Sequence, residues 1–128
     1  MTLQGDIQIT PDLGQQQGGN LFHSFSQFDV NVDEAATFSG DVSNIFSRVT
    51  GSNASQVNGR ISVDGNARLW LINPQGIVFG DDSSVDANGG ITALAGDSLR
   101  FSNGAVFSAR LSENSTLSSA APSAYGLL

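Results

Sequence analysis

Residues 69–80 read LWLINPQGIVFG, two apolar runs joined by a short polar corner. Proline has no amide hydrogen, so Pro74 interrupts any regular helix, and Gly76 tolerates the backbone angles that a tight corner requires. The stretch therefore predicts a strand, a corner and a second strand. Alternate side chains of an extended chain point to the same face, which here is the core face. The residues predicted on that face are Leu69, Leu71, Ile77 and Phe79.

The pattern of these strands recurs at a spacing of 22 residues. The shift superimposes apolar residues on one another: Val63 on Val85, Leu69 on Ile91, Ile77 on Leu99 and Phe79 on Phe101. A period of about 20 to 50 residues is typical of a solenoid. Each period holds three short apolar runs separated by Gly, Asn or Asp, which predicts three strands and three corners per coil. The sequence therefore predicts an all-β, right-handed parallel β-helix with Ile91, Leu99 and Phe101 in its core.

The length of 128 residues is that of one domain, and we assign residues 1–128 to a single β-helix. Residues 57–109 hold the regular coils, and residues 110–128 form the C-terminal end. Residues 1–56 repeat less regularly and supply a cap together with the first strands. Five phenylalanines are expected to form an N-terminal aromatic cap over the first coil: Phe22, Phe25, Phe28, Phe38 and Phe46.

The composition excludes several classes of function. Five arginines, no lysine and twelve acidic residues give a net charge of −7, which argues against binding the phosphate backbone of a nucleic acid. The absence of cysteine excludes disulfides and thiolate metal sites. No run approaches the roughly 20 apolar residues of a membrane-spanning helix. The first ten residues, MTLQGDIQIT, lack the basic start and apolar core of a signal peptide.

Several segments resemble the secretion domain of filamentous haemagglutinin-like proteins. INPQGI at residues 72–77 is similar to the family's asparagine-proline-asparagine-glycine-isoleucine signature, with Gln75 in place of the second asparagine. Further similar segments follow in the family's order: NLFHSFSQF (20–28), FSRVTG (46–51), GGITA (89–93) and SLRFSNGAVFSA (98–109). Together they cover most of residues 20–109.

The resemblance implies the N-terminal domain of a two-partner secretion exoprotein of the adhesin or haemagglutinin type, with no enzymatic activity and no cofactor. Its partner would be an outer-membrane β-barrel transporter whose periplasmic domains bind the extended, unfolded chain. The protein would pass through the periplasm to the cell surface or extracellular space of a Gram-negative-type bacterium, where host or cell-surface glycans or proteins are further candidate partners. The residues expected to be read by the transporter form the corner: Asn73, Pro74, Gln75, Gly76 and Ile77.

The chain departs from the family at two places. The segment LGQQQGG at residues 13–19 leads almost directly into the aromatic segment, where relatives carry a longer stretch. The second asparagine-proline motif of some relatives is absent, because Asn73-Pro74 is the only such dipeptide. Any function that relatives place in the longer loop is therefore not expected here.

Two other classes of function stay open. A β-helical polysaccharide lyase or hydrolase would need a groove with several carboxylates or an arginine-lysine pair, whereas this chain has no lysine and its acids are scattered. A free-standing adhesin could bind glycans or proteins through an exposed Trp70, although packing under a loop is the simpler interpretation.

Single residues that invite a chemical role have a structural interpretation as well. His23, the only histidine, lies in an aromatic segment that predicts packing rather than catalysis. Asp81 and Asp82 are adjacent, so they point to opposite faces of a strand and are typical of a corner. Asn53 and Asn114 begin glycosylation-type patterns that often arise by chance. We predict no catalytic and no metal-binding residue.

Overall fold

The structure, a computed structural model, describes residues 7–95, 98–101, 106–108 and 122–126, and these residues form short β-strands. The strands before residue 60 are β1 (Ile7–Ile9), β2 (Gln15–Gln17), β3 (Asn20–Phe25), β4 (Ala35–Ser39), β5 (Asn44–Val49) and β6 (Ser55–Val57). The later strands are β7 (Arg60–Asp64), β8 (Arg68–Ile72), β9 (Ile77–Phe79), β10 (Ser84–Asp86), β11 (Ile91–Leu94), β12 (Ser98–Phe101), β13 (Val106–Ser108) and β14 (Pro122–Gly126). A turn of 3-10 helix, Pro11–Leu13, separates β1 from β2.

From β3 to β11, successive strands along the chain join different sheets, and strands one coil apart pair with each other. One sheet has the order β1-β4-β7-β10, a second has β11-β8-β5-β3-β2, and a third has β6-β9. These pairs are parallel except for β2, which runs antiparallel to β3. The result is a parallel β-solenoid of about three turns, as the sequence predicts.

The spacing between coils is not uniform. Leu69 pairs with Ile91, which confirms the 22-residue repeat between β8 and β11. Val85, however, pairs with Ile61 rather than Val63, so the repeat between β7 and β10 is 24 residues and the predicted pairing of Val63 with Val85 is wrong. Side chains alternate with a period of two, so a two-residue slip keeps the same side chains facing inward. The corners absorb the difference in length.

The core lies inside the coils and consists of the inward side chains of the stacked sheets. Its fully buried members include Ile9, Leu21, Ile45, Ile61 and Leu69. Leu71 is buried in the same cluster, and Ile77 and Ile91 are partly buried against it. The side chains of Leu99 and Phe101 lie outside the part of the chain that the structure describes.

The phenylalanines expected to cap the first coil are all buried, and they divide between the inner core and the outer face of the second sheet. Phe25, Phe28 and Phe38 belong to the inner core, where the ring centroids of Phe28 and Phe38 are 6.1 Å apart. Phe22 and Phe46 are buried on the opposite face of the second sheet and stack with centroids 5.1 Å apart. Both faces of β3 are therefore packed, and the strand that covers its outer edge is β2.

Phe79 is less buried than the sequence predicts. Its register partner one coil earlier, Val57, is fully buried, whereas Phe79 is 41% exposed. In the described residues β9 pairs with β6 alone, so no parallel strand covers its other edge. The strand β12 pairs antiparallel with β13 and β14. The described strands therefore do not pair β12 with β9, and the stacking of Phe101 on Phe79 stays a prediction, because the side chain of Phe101 lies outside the described part of the chain.

Candidate recognition corner

Asn73 holds the corner between β8 and β9 and is completely buried. Its Nδ2 donates to the backbone oxygen of Asn53 at 3.1 Å and to Oγ of Ser55 at 2.9 Å. Its Oδ1 accepts a hydrogen bond from the backbone N–H of Gln75 at 2.9 Å. The backbone N–H of Asn73 donates to the oxygen of Leu94 at 2.9 Å. One residue thus joins its own coil to the coils before and after it.

The rest of the corner is a tight turn closed by a hydrogen bond from the N–H of Gly76 to the oxygen of Asn73, at 2.9 Å. Asparagine in the first position, proline in the second and glycine in the fourth are the residue preferences of the commonest β-turn. Gly76 has a φ of +104°, a conformation that suits glycine. Its backbone oxygen accepts a hydrogen bond from the N–H of Ser55 at 3.0 Å, so the turn is also tied to the preceding coil.

The predicted recognition residues differ in their solvent exposure in the folded domain. Asn73 is buried, Pro74, Gly76 and Ile77 are partly buried, and Gln75 is exposed. Val78 and Phe79 are exposed beyond the corner. The structure therefore brings the five residues together in one turn but leaves only Gln75 as an open polar side chain.

Ser55 and Asn53 also belong to the corner, although the motif at residues 73–77 does not point to them. Their bonds to Asn73 span 18 and 20 residues, close to one coil length. The signal was present in the repeat, because a residue one coil earlier lies beside the corner. Ser55 is buried, so the hydroxyl of the Asn53-Ala54-Ser55 pattern is occupied in the folded domain, while Asn53 itself is exposed. Asn114 lies outside the described residues.

Trp70 is engaged by its neighbours. Its ring stacks on Phe46 with centroids 5.7 Å apart, and its Nε1 donates to Oδ1 of Asn44 at 3.1 Å. The guanidinium carbon of Arg68 lies 5.4 Å from the ring centroid. Contacts of this kind fix the indole between coils. They leave no observation in favour of a sugar-stacking platform at Trp70.

The charged residues do not assemble a reactive site in the residues that the structure describes. No group of three or more His, Asp or Glu side chains there could hold a metal ion. A surface depression of about 330 Å³ is lined by Asp33, Glu34, Arg60 and Asp82 among others, and it is open to solvent. Arg60 Nη2 lies 2.5 Å from Asp86 Oδ2 in an exposed ion pair, a type of contact worth little stability. Within the same residues, no helix has the length and apolar character needed to cross a bilayer.

Comparison with known proteins bears on the whole chain. The profile of the TPS secretion domain family matches residues 3–124. No curated protein and no solved structure matches the chain. The family match spans nearly every residue, including the corner and the strands that form the parallel coils. The chain therefore belongs to the TPS secretion domain family, the secretion module of two-partner secretion exoproteins.

Proposed function

We propose that this domain is the non-enzymatic part of an exoprotein that an outer-membrane transporter recognises, and that the corner at residues 73–77 is read while the chain is unfolded. Membership of the family supports a role in secretion. The observation that carries the second part is the state of Asn73. Its side chain is fully buried, its nitrogen is hydrogen-bonded to the preceding coil, and its oxygen is hydrogen-bonded within its own turn. A partner cannot bond this amide without opening the coil.

The unfolded chain offers a different surface. The corner is then flanked by the apolar segments LWLI and IVF, which are strands in the folded domain. An extended segment of this kind can add to an exposed sheet edge in the periplasmic domains of the transporter, with its backbone supplying affinity and the corner residues supplying specificity. Folding outside the cell then turns the amide of Asn73 inward and removes the recognised group. Under this proposal the domain, residues 1–128, passes through the periplasm and folds at the cell surface or in the extracellular space.

The test is export of matched variants by the transporter, measured together with urea unfolding of each purified domain. Asn73→Ala removes the amide from both the unfolded chain and the folded corner. Ser55→Ala removes only one of the two folded-state acceptors of that amide, and Val57→Ala truncates the core on the same strand. We expect Asn73→Ala to reduce export strongly, while Ser55→Ala and Val57→Ala are exported nearly as well as the parent chain despite their lower stability.

Two other outcomes would contradict recognition through the corner. If export follows stability across all three variants, the corner acts only as a structural element. Recognition would then have to lie elsewhere, and the aromatic segment at residues 21–28 would be the next segment to vary. Export that is unchanged in all three variants would likewise contradict recognition through Asn73.

A further inference from the structure

His23 is the only histidine of the chain, and its side chain is 2% exposed in the first coils. The rings of Phe25 and Phe38 lie 6.1 and 6.0 Å from the imidazole. Its Nε2 has no hydrogen-bond partner among the described residues. Such surroundings disfavour the charged form of the ring, and burial lowers the pKa of His23 to about 4.

Ser47 adds a second unpaired polar group beside this ring. Ser47 on β5 is the register partner of His23 on β3, so the two residues are neighbours in adjacent coils. Ser47 is 1% exposed, and its Oγ has no hydrogen-bond partner among the described residues either. Buried polar atoms without partners cost stability. The pair is therefore a weak point in an otherwise apolar column.

Backbone, rather than a large side chain, covers the imidazole on one side. A Cβ atom placed on Gly14 would lie 2.8 Å from Nδ1 of His23 and 2.4 Å from the backbone oxygen of Phe22. Gly14 belongs to the segment at residues 11–17, which comprises the 3-10 turn and β2. Gly14 is partly buried, and the other residues of this segment are exposed.

Little besides backbone pairing holds this segment in place. Its strand β2 pairs with β3 over three residues, Gln15–Gln17. It buries no apolar side chain of its own, since even Leu13 is exposed. Segments with few buried apolar contacts open locally at a small fraction of the free energy of global unfolding.

We propose that the segment at residues 11–17 is an acid-sensitive lid over His23, closed over the neutral imidazole and opened when the ring gains a proton. An imidazolium needs water or a hydrogen-bond acceptor at both nitrogens. The phenyl rings around it provide neither. Opening the lid admits water to the ring while the parallel coils beneath stay intact.

Among the residues that the structure describes, no carboxylate close to His23 is placed to stabilise the imidazolium instead. The strands β2, β3 and β4 contain no titratable residue other than His23. Asp12 of the 3-10 turn is exposed and accepts a hydrogen bond from Oγ1 of Thr10. Arg48 on β5 alternates with Ser47 and points to the other face, where its Nε donates to Oγ of Ser24 at 2.7 Å. Protonation therefore places a positive charge in the core without a counter-charge.

Nuclear magnetic resonance titration of the intact domain gives a direct test, because the chain has a single imidazole signal. We expect the folded ring to titrate far below the ordinary value of 6.5. A group with a depressed folded pKa binds its proton more readily in the unfolded chain, so the equilibrium constant for folding falls as the pH drops. From pH 7.5 to 5.0 the fall attributable to a shift from 6.5 to about 4 is about 30-fold. Local opening of residues 11–17 exposes the ring to water as global unfolding does, so their amide protection factors should fall over this range by up to the same factor.

Two variants distinguish an effect of protonating His23 from a general loss of stability in acid. His23→Phe should lose the 30-fold dependence, whereas Asp12→Asn, which removes the only carboxylate of the lid, should keep it. A folded imidazole that titrates near 6.5 would overturn the proposal, as would an equal pH dependence in His23→Phe or unchanged protection at residues 11–17. If His23→Phe does not fold, the titration and the exchange measurements on the parent chain decide the matter by themselves.

Discussion

Gly76 occupies the corner with a φ of +104°, a region that residues with a side chain rarely adopt. A Cβ placed there would meet no atom within 4 Å, so a substitution acts through backbone strain and not through a clash. We expect Gly76→Ala to reduce the free energy of unfolding by about 1–2 kcal/mol. Gly76→Val should cost more, because a β-branched side chain restricts the backbone further. Urea unfolding of the purified domain measures both.

Gly19→Ala is the matched control for this strain. Gly19 has no left-handed φ, and a Cβ there would lie 3.4 Å from Oγ of Ser43, an ordinary contact. Its stability should change by no more than about 0.5 kcal/mol. A loss at Gly76 no larger than the loss at Gly19 would show that the corner relaxes without strain.

Residue types explain why the corner could be predicted and its partners could not. Proline and glycine act through their own backbone angles, so Asn73-Pro74-Gln75-Gly76 predicts a turn wherever it lies. The bonds of Asn73 to Asn53 and Ser55 depend on the exact number of residues in a coil. That number varies from 22 to 29 among the parallel strand pairs because the corners differ in length. The burial of Asn73 therefore could not be predicted from the sequence and became visible only in the structure.

Strands that are packed on both faces are the elements that the sequence pattern describes least well. Five of the six residues of β3 are buried, so its hydrophobic pattern does not distinguish the inner core from the outer face. Phe25 lies in the core, while Phe22 joins an outer stack with Phe46 and Trp70. A strand with one exposed face would have shown the alternation that locates the core. The sequence pattern alone therefore could not assign each ring of the aromatic segment to the inner core or to the outer stack.

The contribution of each phenylalanine to stability depends on its position in the stack of coils. Phe38 is fully buried on β4, a strand with paired neighbours on both sides, and packs against Phe25 and Phe28. Phe38→Ala should therefore reduce the free energy of unfolding by about 3–5 kcal/mol. Phe79→Ala should reduce it by only about 1–2 kcal/mol, since this ring is 41% exposed.

The comparison between these two variants is the informative measurement, since both remove the same side chain. Denaturant unfolding under one set of conditions gives the difference directly. Equal losses of unfolding free energy would show that Phe79 is buried in solution to the same extent as Phe38. That outcome would restore the core position that the sequence pattern predicts for Phe79.

The molecule as a whole is a stack of coils in which each coil contacts only its neighbours, so its stability should vary along the axis. Strands β5 and β8 have parallel neighbours on both sides, whereas β10 pairs with β7 alone in the described residues. Val85 of β10 is exposed, although its register partner Ile61 is fully buried. Within the described residues, β10 thus combines an unpaired strand edge with an inward side chain that is left exposed.

Native-state hydrogen exchange should therefore reveal a gradient of protection from β5 and β8 down to β10. Amides of β5 and β8 are expected to exchange only through global unfolding, and their exchange should respond to urea with the full unfolding slope. Amides of β10 should exchange through local opening with a small slope, because few buried contacts oppose the release of this strand. Asn73 marks the boundary between the strongly and the weakly protected coils, since its N–H donates to Leu94 and its side chain ties β8 to β6. Uniform protection of β5, β8 and β10 would instead mean that the coils unfold as one cooperative unit, with the exposed edge at β10 held as firmly as the interior of the stack.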